Sequence, residues 1–474
     1  MAPRRTLLAS HAHTIWRAGV AAADPLPLMQ AILRVEAEAV ILGRRRVPLS
    51  EFDSVAVIGA GKAGARMARA VEAILGSRLL REKHVHGWVN VPDDAVRPLR
   101  AIHLHGARRG HDNQPSRSGT DGTRRIQAIL AGQGPRDLTL CLLSGGGSAL
   151  LPAPASGVSL GAKRRVGSQL QAAGATIDEV NTVRKHLSTV KGGGLLGAWR
   201  GRWLASFVLS DVLGDALDVI ASGPTSPDPT TFADAIEVLR QYAVWDRASQ
   251  AVRQCLLEGQ AGLRPETLKR LPAGAENILI GGNRNALDGA DREARRLGYK
   301  VLDVSNHLRG EASEAGRRLA RLAFEARDAG STGDEPLCLL GGGETTVRLG
   351  SRPGEGGRCQ ELALAAVFEG QKDDWTGIAL LCAGTDGEDG PTDAAGAVVD
   401  EDLLRRARRQ GLDPEAFLVR HDAYNFFDPL AGLIRTGLTG TNVMDLAVIL
   451  VAPPPRAQAN QARSSKKRPG AIHP

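Results

Sequence analysis

The feature that most limits how this chain can fold is Ser54–Ile58 (SVAVI), a β-branched run closed by Gly59-Ala60-Gly61-Lys62-Ala63-Gly64 and followed by a helical pattern from Ala65 to Leu75. Branched side chains favour a pleated surface, and glycines allow a turn too tight for other residues. Strand, glycine turn and helix are the first half of a βαβ unit, which commits this stretch to a parallel sheet covered by helices. The spacing fits G-x-G-x-x-G, yet an ordinary strand-to-helix turn accounts for the glycines equally well. Lys62 is more telling, because a cation in the first turn of a helix opposes the helix dipole and a bound anion corrects that.

Around this unit the pattern is mostly alternating. Thr14–Leu42 reads as helical, His84–Val91 and Ala101–His105 as short strands, and Arg108–Thr123 as a polar loop. Leu138–Leu143 (LTLCLL) has the unbroken apolar character of a strand buried on both faces and ends in Ser144-Gly145-Gly146-Gly147-Ser148. The construction returns where Leu337–Leu340 runs into Gly341-Gly342-Gly343-Glu344-Thr345, suggesting a second α/β unit with its own glycine loop. Trp203–Leu209, Asn277–Ile280, Ile378–Cys382 and Ala447–Val451 supply further strands, Ala233–Leu256 is helical, and Gly259–Ala275 is the candidate boundary. The expected fold is two-domain α/β, with sites at strand C-terminal ends. A Rossmann-like, mostly parallel N-terminal domain spans 1–265, a smaller α/β domain spans 275–455, and 456–474 is a disordered basic tail.

Composition excludes several classes. The 474 residues carry 60 Lys and Arg against 52 Asp and Glu, a formal net charge of +8. Five of the basic residues, Arg456, Arg463, Lys466, Lys467 and Arg468, lie in the tail, so the body carries only about +3. With 4% aromatic residues as well, neither a nucleic-acid groove nor a base-stacking surface is expected. Cys141, Cys255, Cys338, Cys359 and Cys382 form no Cys-x-x-Cys pair, and a reduced, cytoplasmic protein is the simplest reading. The N-terminus lacks the apolar stretch of a signal peptide, and no window reaches the roughly eighteen unbroken apolar residues of a spanning helix, so no membrane partner is expected. His84-Val85-His86 and His103-Leu104-His105 lack the carboxylate or Cys partners that would make zinc sites of them.

Several loops carry chemistry-bearing residues. Ser144-Gly145-Gly146-Gly147-Ser148 offers consecutive amides that could cradle phosphate, though an ordinary βα turn also fits. Asp211 and Asp215 follow the strand run ending at Leu209, where carboxylates beside a phosphate loop hold Mg²⁺. For Asp228–Thr231, helix capping by Thr230 or Thr231 is preferred. Arg184, Lys185, His186 and Lys191 fall within a few positions, and Arg184 and Lys191 cannot both be buried cheaply without anionic partners. Arg358 precedes a helix over Leu362–Phe368 and could grip a carboxylate or phosphate bidentately. The loop Ala383–Asp393, with Asp386, gathers acids around glycines without EF-hand spacing, and Thr436–Asp445 is a further hydroxyl- and glycine-rich loop.

Taken together, GAGKAGARMARA (59–70), LLSGGGSALL (142–151), IDEVNTVRKHLSTVKGGGLL (177–196), LSDVLGDALDVIASGPTSPDPTT (209–231), GGGETTVRLG (341–350), GGRCQELALA (356–365), AGTDGEDGPTDAAGA (383–397) and TGLTGTNVMDL (436–446) resemble the class II glycerate 2-kinase family, whose members join a glycerate-kinase domain to a MOFRL domain. The resemblance implies ATP-dependent phosphorylation of D-glycerate to 2-phosphoglycerate, with a divalent cation such as Mg²⁺, in a cleft between the domains of a monomer or homodimer. It carries the family's lysine onto Lys62, its aspartate loop onto Asp211 and Asp215 and its arginine onto Arg358; the catalytic groups are then Lys62, Asp211 and Arg358, and by its own chemistry Arg358 would fix the acid's carboxylate. Nucleotide contacts fall to Ser144, Gly145, Gly146, Gly147, Ser148 and Lys191, and metal contacts to Asp215 and Asp386. The chain departs from the family pattern at Leu213, Cys359, Leu438 and Met444, and Gly110–Ser116 replaces a His-Pro-x-Pro-Asp loop. Two other functions compete. One is an NAD(P)-dependent hydroxypyruvate reductase, disfavoured because no acid clearly closes the strand after the fingerprint helix. The other is a non-catalytic homologue that binds nucleotide or sugar acid.

Overall fold

The computed structural model describes residues 6–109, 114–329, 335–350, 353–373 and 375–453, so the basic tail and most of the 110–116 loop lie outside the described residues. The chain forms two compact units. The first holds Ala23–Asn283 completed by Gly440–Val443; the second holds the residues up to Ala22, Arg284–Thr439 and the chain from Met444 onward.

The first unit begins with a small antiparallel sheet, β1 (Leu33–Glu36), β2 (Ala39–Leu42) and β3 (Arg45–Pro48). Only Leu7–Ala22 and Pro25–Gln30 of the expected N-terminal helical stretch are helical. Pro25 cannot continue the first helix and instead opens the second, capped by Asp24, and Val35, Val40 and Ile41 suit a hairpin. The main sheet has six parallel strands, β4 (Ser54–Ala60), β5 (His86–Pro92), β6 (Ile102–Arg108), β7 (Asp137–Ser144), β8 (Trp203–Leu209) and β9 (Ala275–Gly281), in the order β6-β5-β4-β7-β8-β9. This is the doubly wound Rossmann arrangement, whose strand order reverses between β4 and β7. Their register runs from Ser54↔Asp137 to Ala60↔Leu143, so both chains leave the sheet side by side. Because β9 pairs with β8, the first unit continues to Asn283.

Local chemistry moved several boundaries. Ser116 accepts from the Gly119 amide at 2.8 Å and starts a helix, Arg117–Ala131, where a loop was expected to run on to Thr123. Thr231 caps Phe232–Gln241 in a capping box with Asp234. The expected Ala233–Leu256 helix is two helices, Phe232–Gln241 and Gln250–Gln260, with Ala243 in the left-handed region between them (φ 52°).

The second unit has a mixed sheet of β10 (Lys300–Asp303), β11 (Arg309–Glu311), β12 (Leu337–Thr346), β13 (Ile378–Gly384), β14 (Gly396–Asp400), β15 (Leu433–Ile434) and β16 (Asp445–Val451). Its order is β10-β12-β16-β13-β14-β15; β10 and β11 run parallel to β12, and the other pairs are antiparallel. Gly341-Gly342-Gly343 is therefore not a second glycine loop. It lies inside β12, paired with Ala447, Leu446 and Asp445, and a Cβ on Gly343 would collide with the Leu308 carbonyl. The N-terminal helix packs here too, with Trp16 Nε1 donating to the Ala383 carbonyl at 3.1 Å. The helix Arg358–Glu369 is buried along nearly its whole length among Leu319, Leu380, Phe427 and Ile449.

All five cysteines are buried and unpaired, and among the described residues no helix is long and apolar enough to cross a membrane.

The β4 turn has no room for a side chain. A Cβ on Gly61 would meet Ser144 Oγ and lie 2.9 and 2.8 Å from the Ser144 backbone N and O. Gly61→Ala should destabilise the chain by about 3 kcal/mol in urea unfolding, since the obstruction is backbone and cannot rotate away. Gly157→Ala, at a left-handed glycine (φ 84°) facing open space, should cost only about 1 kcal/mol.

Candidate active site

At the point where strand order reverses, the β4 and β7 turns interlock. The Gly61 amide donates to Asn90 O (3.2 Å), the Lys62 amide to Gly145 O (2.9 Å) and the Ala63 amide to Ser144 Oγ (3.1 Å). These are the amides at the head of Gly64–Glu82 that a dinucleotide pyrophosphate would need, and all three are spent on protein acceptors. Ser144 itself is buried, so its hydroxyl fastens the neighbouring turn instead of facing a ligand.

The opposite holds one residue further on. The amides of Gly145, Gly146 and Gly147 have no protein acceptor among the described residues. Gly146 takes the left-handed conformation (φ 74°), which turns the chain sharply before the short helix Gly147–Leu150. Lys62, half-buried, runs beside this turn, with its Cγ 3.1 Å from where a Cβ on Gly146 would stand. Asp211, just past β8, comes against Gly145, where a Cβ would collide with both Asp211 and Asn442. Asn442 Nδ2 points at Asp211 Oδ2 from 3.4 Å. Asn442 arrives on Gly440–Val443, which the first unit holds through Thr441 Oγ1 to Ala23 O (2.6 Å) and Asn283 Nδ2 to Val443 O (2.7 Å). No local pattern could announce a residue that far along the chain, although TGTN stood in a motif already noted.

Behind the turn, Lys191 is buried and donates to Ser148 Oγ (2.7 Å), Ser148 O (3.1 Å) and Ala221 O (3.4 Å). Ala221, Ser222 and Gly223 are all left-handed (φ 53°, 63° and 59°), a costly run that Lys191 and the Gly192 and Gly193 amides over-determine. Ser222 Oγ lies 3.1 Å from Ser148 Oγ and donates to Asn181 Oδ1 at 3.2 Å. Burial holds Lys191 well below the ordinary lysine range and draws Lys163 down to about 7, with Arg184's charge adding to both effects. Lys163, Asn181 and Ser222 were not among the candidate site residues of the sequence, although the IDEVNTVRKHLS and ASGP motifs contain the latter two.

Of the residues expected to bind metal, Asp215 is exposed with a left-handed backbone (φ 54°), and Asp386 is buried in the second unit, its Oδ1 accepting from the Glu388 amide at 3.0 Å. Among the described residues no group of three or more His, Cys, Asp or Glu side chains is placed to hold a metal ion. Asp211 beside open amides does suit magnesium, which arrives on phosphate and takes one or two protein carboxylates. His103 and His105 pack on Trp88, with ring centroids 4.2 and 5.1 Å away.

In the second unit, Arg358 is already engaged. Its Nε and Nη2 donate to Asp445 at 2.6 and 2.8 Å, and Nη1 meets Glu344 Oε1 at 2.6 Å. Burial works against the charge, but those two carboxylates hold the guanidinium well above its ordinary range. The sequence reading missed Asp445 and Glu344 because they face Arg358 only through the β12–β16 register. Asp389 takes the Cys359 and Gln360 amides (3.0 and 2.8 Å) at the start of Arg358–Glu369, and burial pushes its carboxyl up to about 7.

The pH dependence of stability should show Lys163. A lysine near 7 when folded and near its ordinary value when unfolded costs stability fully below pH 7, and the cost fades as pH rises toward 10.5. Urea unfolding should therefore give stability rising from pH 7 to 10, and Lys163→Met should flatten that rise while stabilising the chain most at pH 6.

Two family models match the chain, a domain of unknown function (DUF4147) over residues 11–257 and the MOFRL family over 337–445. The chain is 36% identical over 434 residues to a glycerate 2-kinase of Pyrococcus horikoshii, covering 91% of this chain and 94% of that protein. It is 40% identical to a putative hydroxypyruvate reductase of Agrobacterium vitis, covering 83% and 86%. A crystal structure of a glycerate kinase from Thermotoga maritima matches with a TM-score of 0.75 at 36% identity, covering 94% of this chain and 99% of that one.

Proposed function

Because this chain belongs to the class II glycerate 2-kinase family, we propose that it transfers the γ-phosphoryl group of ATP to the 2-hydroxyl of D-glycerate, giving 2-phosphoglycerate and ADP. The observation that carries the reading is the run of amides at Gly145–Gly147, without a protein acceptor among the described residues, beside Lys62 and Asp211 at the reversal of strand order. Amides that no protein group uses are suited to phosphate oxygens, and Lys62 supplies charge where the transferred group becomes most negative. The glycerate oxygen forms the new P–O bond as the bond to the β-phosphate oxygen breaks, and the hydroxyl proton passes to solvent. Such a loose transition state needs positioning and charge neutralisation more than a strong base. Magnesium, held by Asp211 and the nucleotide, would neutralise charge on the phosphate oxygens. The Ser148 hydroxyl and buried Lys191 keep the turn in shape.

Arg358 enters with its fork occupied, so its part is to hold Asp445 and Glu344 as a positioning residue. The hydride-transfer alternative loses its main support, since the fingerprint amides already have acceptors. One expectation against it does not hold: Asp93 directly follows β5, where a ribose-binding acid would stand, and it leans on Gly106 of β6. Five unpaired buried thiols fit a cytoplasmic setting.

The decisive measurement is coupled ADP release over a panel of small hydroxy acids with the product read by phosphorus NMR. D-glycerate should give a 2-phosphate, and NADH should not be consumed with hydroxypyruvate. Lys62→Ala should lower kcat by roughly 100- to 1000-fold with unchanged Tm. Arg358→Ala should lose on the order of 100-fold in kcat/KM, and Arg358→Lys, which keeps charge but not the fork, should lose about 10-fold, mostly in kcat. Near-normal kinetics in both would remove Arg358 from the machinery.

A further inference from the structure

Three cations of the first unit stand outside the chemistry above as ligand contacts, and they form a row starting at the glycine turn. Lys191 holds Ser148 Oγ, Ser148 Oγ lies beside Ser222 Oγ, and Ser222 donates to Asn181. Asn181 and Arg184 are three apart on the helix Ile177–His186 and so share a face. The half-buried Arg184 lies along the helix Leu160–Ala172, its Nε and Nη2 3.7 and 3.8 Å from where a Cβ on Gly167 would stand. Lys163 is one turn before Gly167 on the same face, its Nζ sealed from solvent with no hydrogen-bond acceptor. None of the three has a carboxylate partner among the described residues. Lys185, next to Arg184, shows the ordinary solution: it pairs with Asp218 and Asp228 at 3.2 and 3.1 Å.

Buried cations without counter-charges destabilise a fold, and they persist where an anion is meant to complete them. The geometry points to Arg184, flanked by Lys163 and Lys191, as the anchor for the carboxylate of the hydroxy-acid acceptor, with Asn181, Ser148 and Ser222 meeting its hydroxyl groups. The identity of the acid rests on the kinase reading above. A carboxylate needs an uncommitted guanidinium, and Arg358 is already forked onto Asp445. Burial works against the charge of all three groups, and the guanidinium, with the highest ordinary pKa of the row, holds its charge best, which suits a single carboxylate better than a polyphosphate.

The test uses the full chain, with KM for D-glycerate and for ATP measured separately and the Tm shift given by D-glycerate, glycolate or inorganic phosphate without nucleotide. Arg184→Gln should raise KM for D-glycerate by on the order of 100-fold and Arg184→Lys by about 10-fold, with KM for ATP within about two-fold and the D-glycerate Tm shift abolished in Arg184→Gln. Lys163→Met should raise the Tm of the ligand-free protein yet weaken D-glycerate several-fold; a purely structural lysine would give the first effect without the second. If Arg184→Gln does not fold, Arg184→Lys and Lys163→Met carry the same comparison. A rise in KM for ATP alone assigns the row to nucleotide phosphate and overturns the carboxylate role, as does any result leaving both constants unchanged. Should the wild type release no ADP with D-glycerate, the kinase reading fails separately. The anion site then stands if small carboxylates raise the Tm of the wild type but not of Arg184→Gln, and falls if they raise both or neither.

Discussion

The structure depends on how closely two strand-ending turns can approach. β4 and β7 are adjacent, in register and buried on both faces, so the segments leaving them compete for the same space. Gly61 yields that space to Ser144, and the first three amides of one turn are satisfied by groups of the other. Polar backbone in a crevice must find partners, and here one turn is consumed in making the other available. The amides of Gly145–Gly147 keep no protein acceptor among the described residues, whereas those of Gly61–Ala63 are all engaged. One interlock thus turns a dinucleotide-like fingerprint into the support for a second glycine turn.

Charge placement follows the same economy. Buried ionised groups are tolerated when paired, as Lys185 is with Asp218 and Asp228 or Arg358 with Asp445 and Glu344. His186 is anchored likewise, between the Thr182 carbonyl at 2.8 Å and Glu266 at 3.0 Å. Against that background Lys163, Arg184 and Lys191 stand out as basic groups without a carboxylate partner among the described residues. Lys191 also stabilises three consecutive left-handed residues at Ala221–Gly223, so the strained loop and the glycine turn share one buried ammonium. A single side chain thereby couples the shape of the turn to the row of cations behind it.

The second unit solves the burial of its central helix differently. Arg358–Glu369 is enclosed by apolar residues, so the polar groups at its start need partners close by. Asp389 caps the Cys359 and Gln360 amides, and Asp445, at the first position of β16, takes the Arg358 fork. The run Gly341–Gly343 pairs with β16 on one side and lets Val304 and Leu308 approach on the other, where a Cβ on Gly343 would meet the Leu308 carbonyl. Glycines that read as a loop in the sequence are here a device for close packing inside a sheet.

The sequence by itself determined the alternation of strands and helices in the main sheet and the places of its glycine turns. Apolar runs ending in glycine marked β4 and β7, their alternation with helices marked a parallel sheet, and the turns carrying Lys62, Ser144–Ser148 and Asp211 could be placed at strand ends because turn chemistry is local. It misread Leu33–Leu42 as helix and Gly341–Gly343 as a loop, since short apolar runs and glycines fit more than one backbone until neighbours choose. Only the tertiary structure decided that Asn442 stands by Asp211, that Arg358 is occupied, and that Lys163 and Arg184 share a helix-packed row. Those facts are distances between residues far apart in the chain, set by strand register and helix packing, and no local pattern of side chains encodes them.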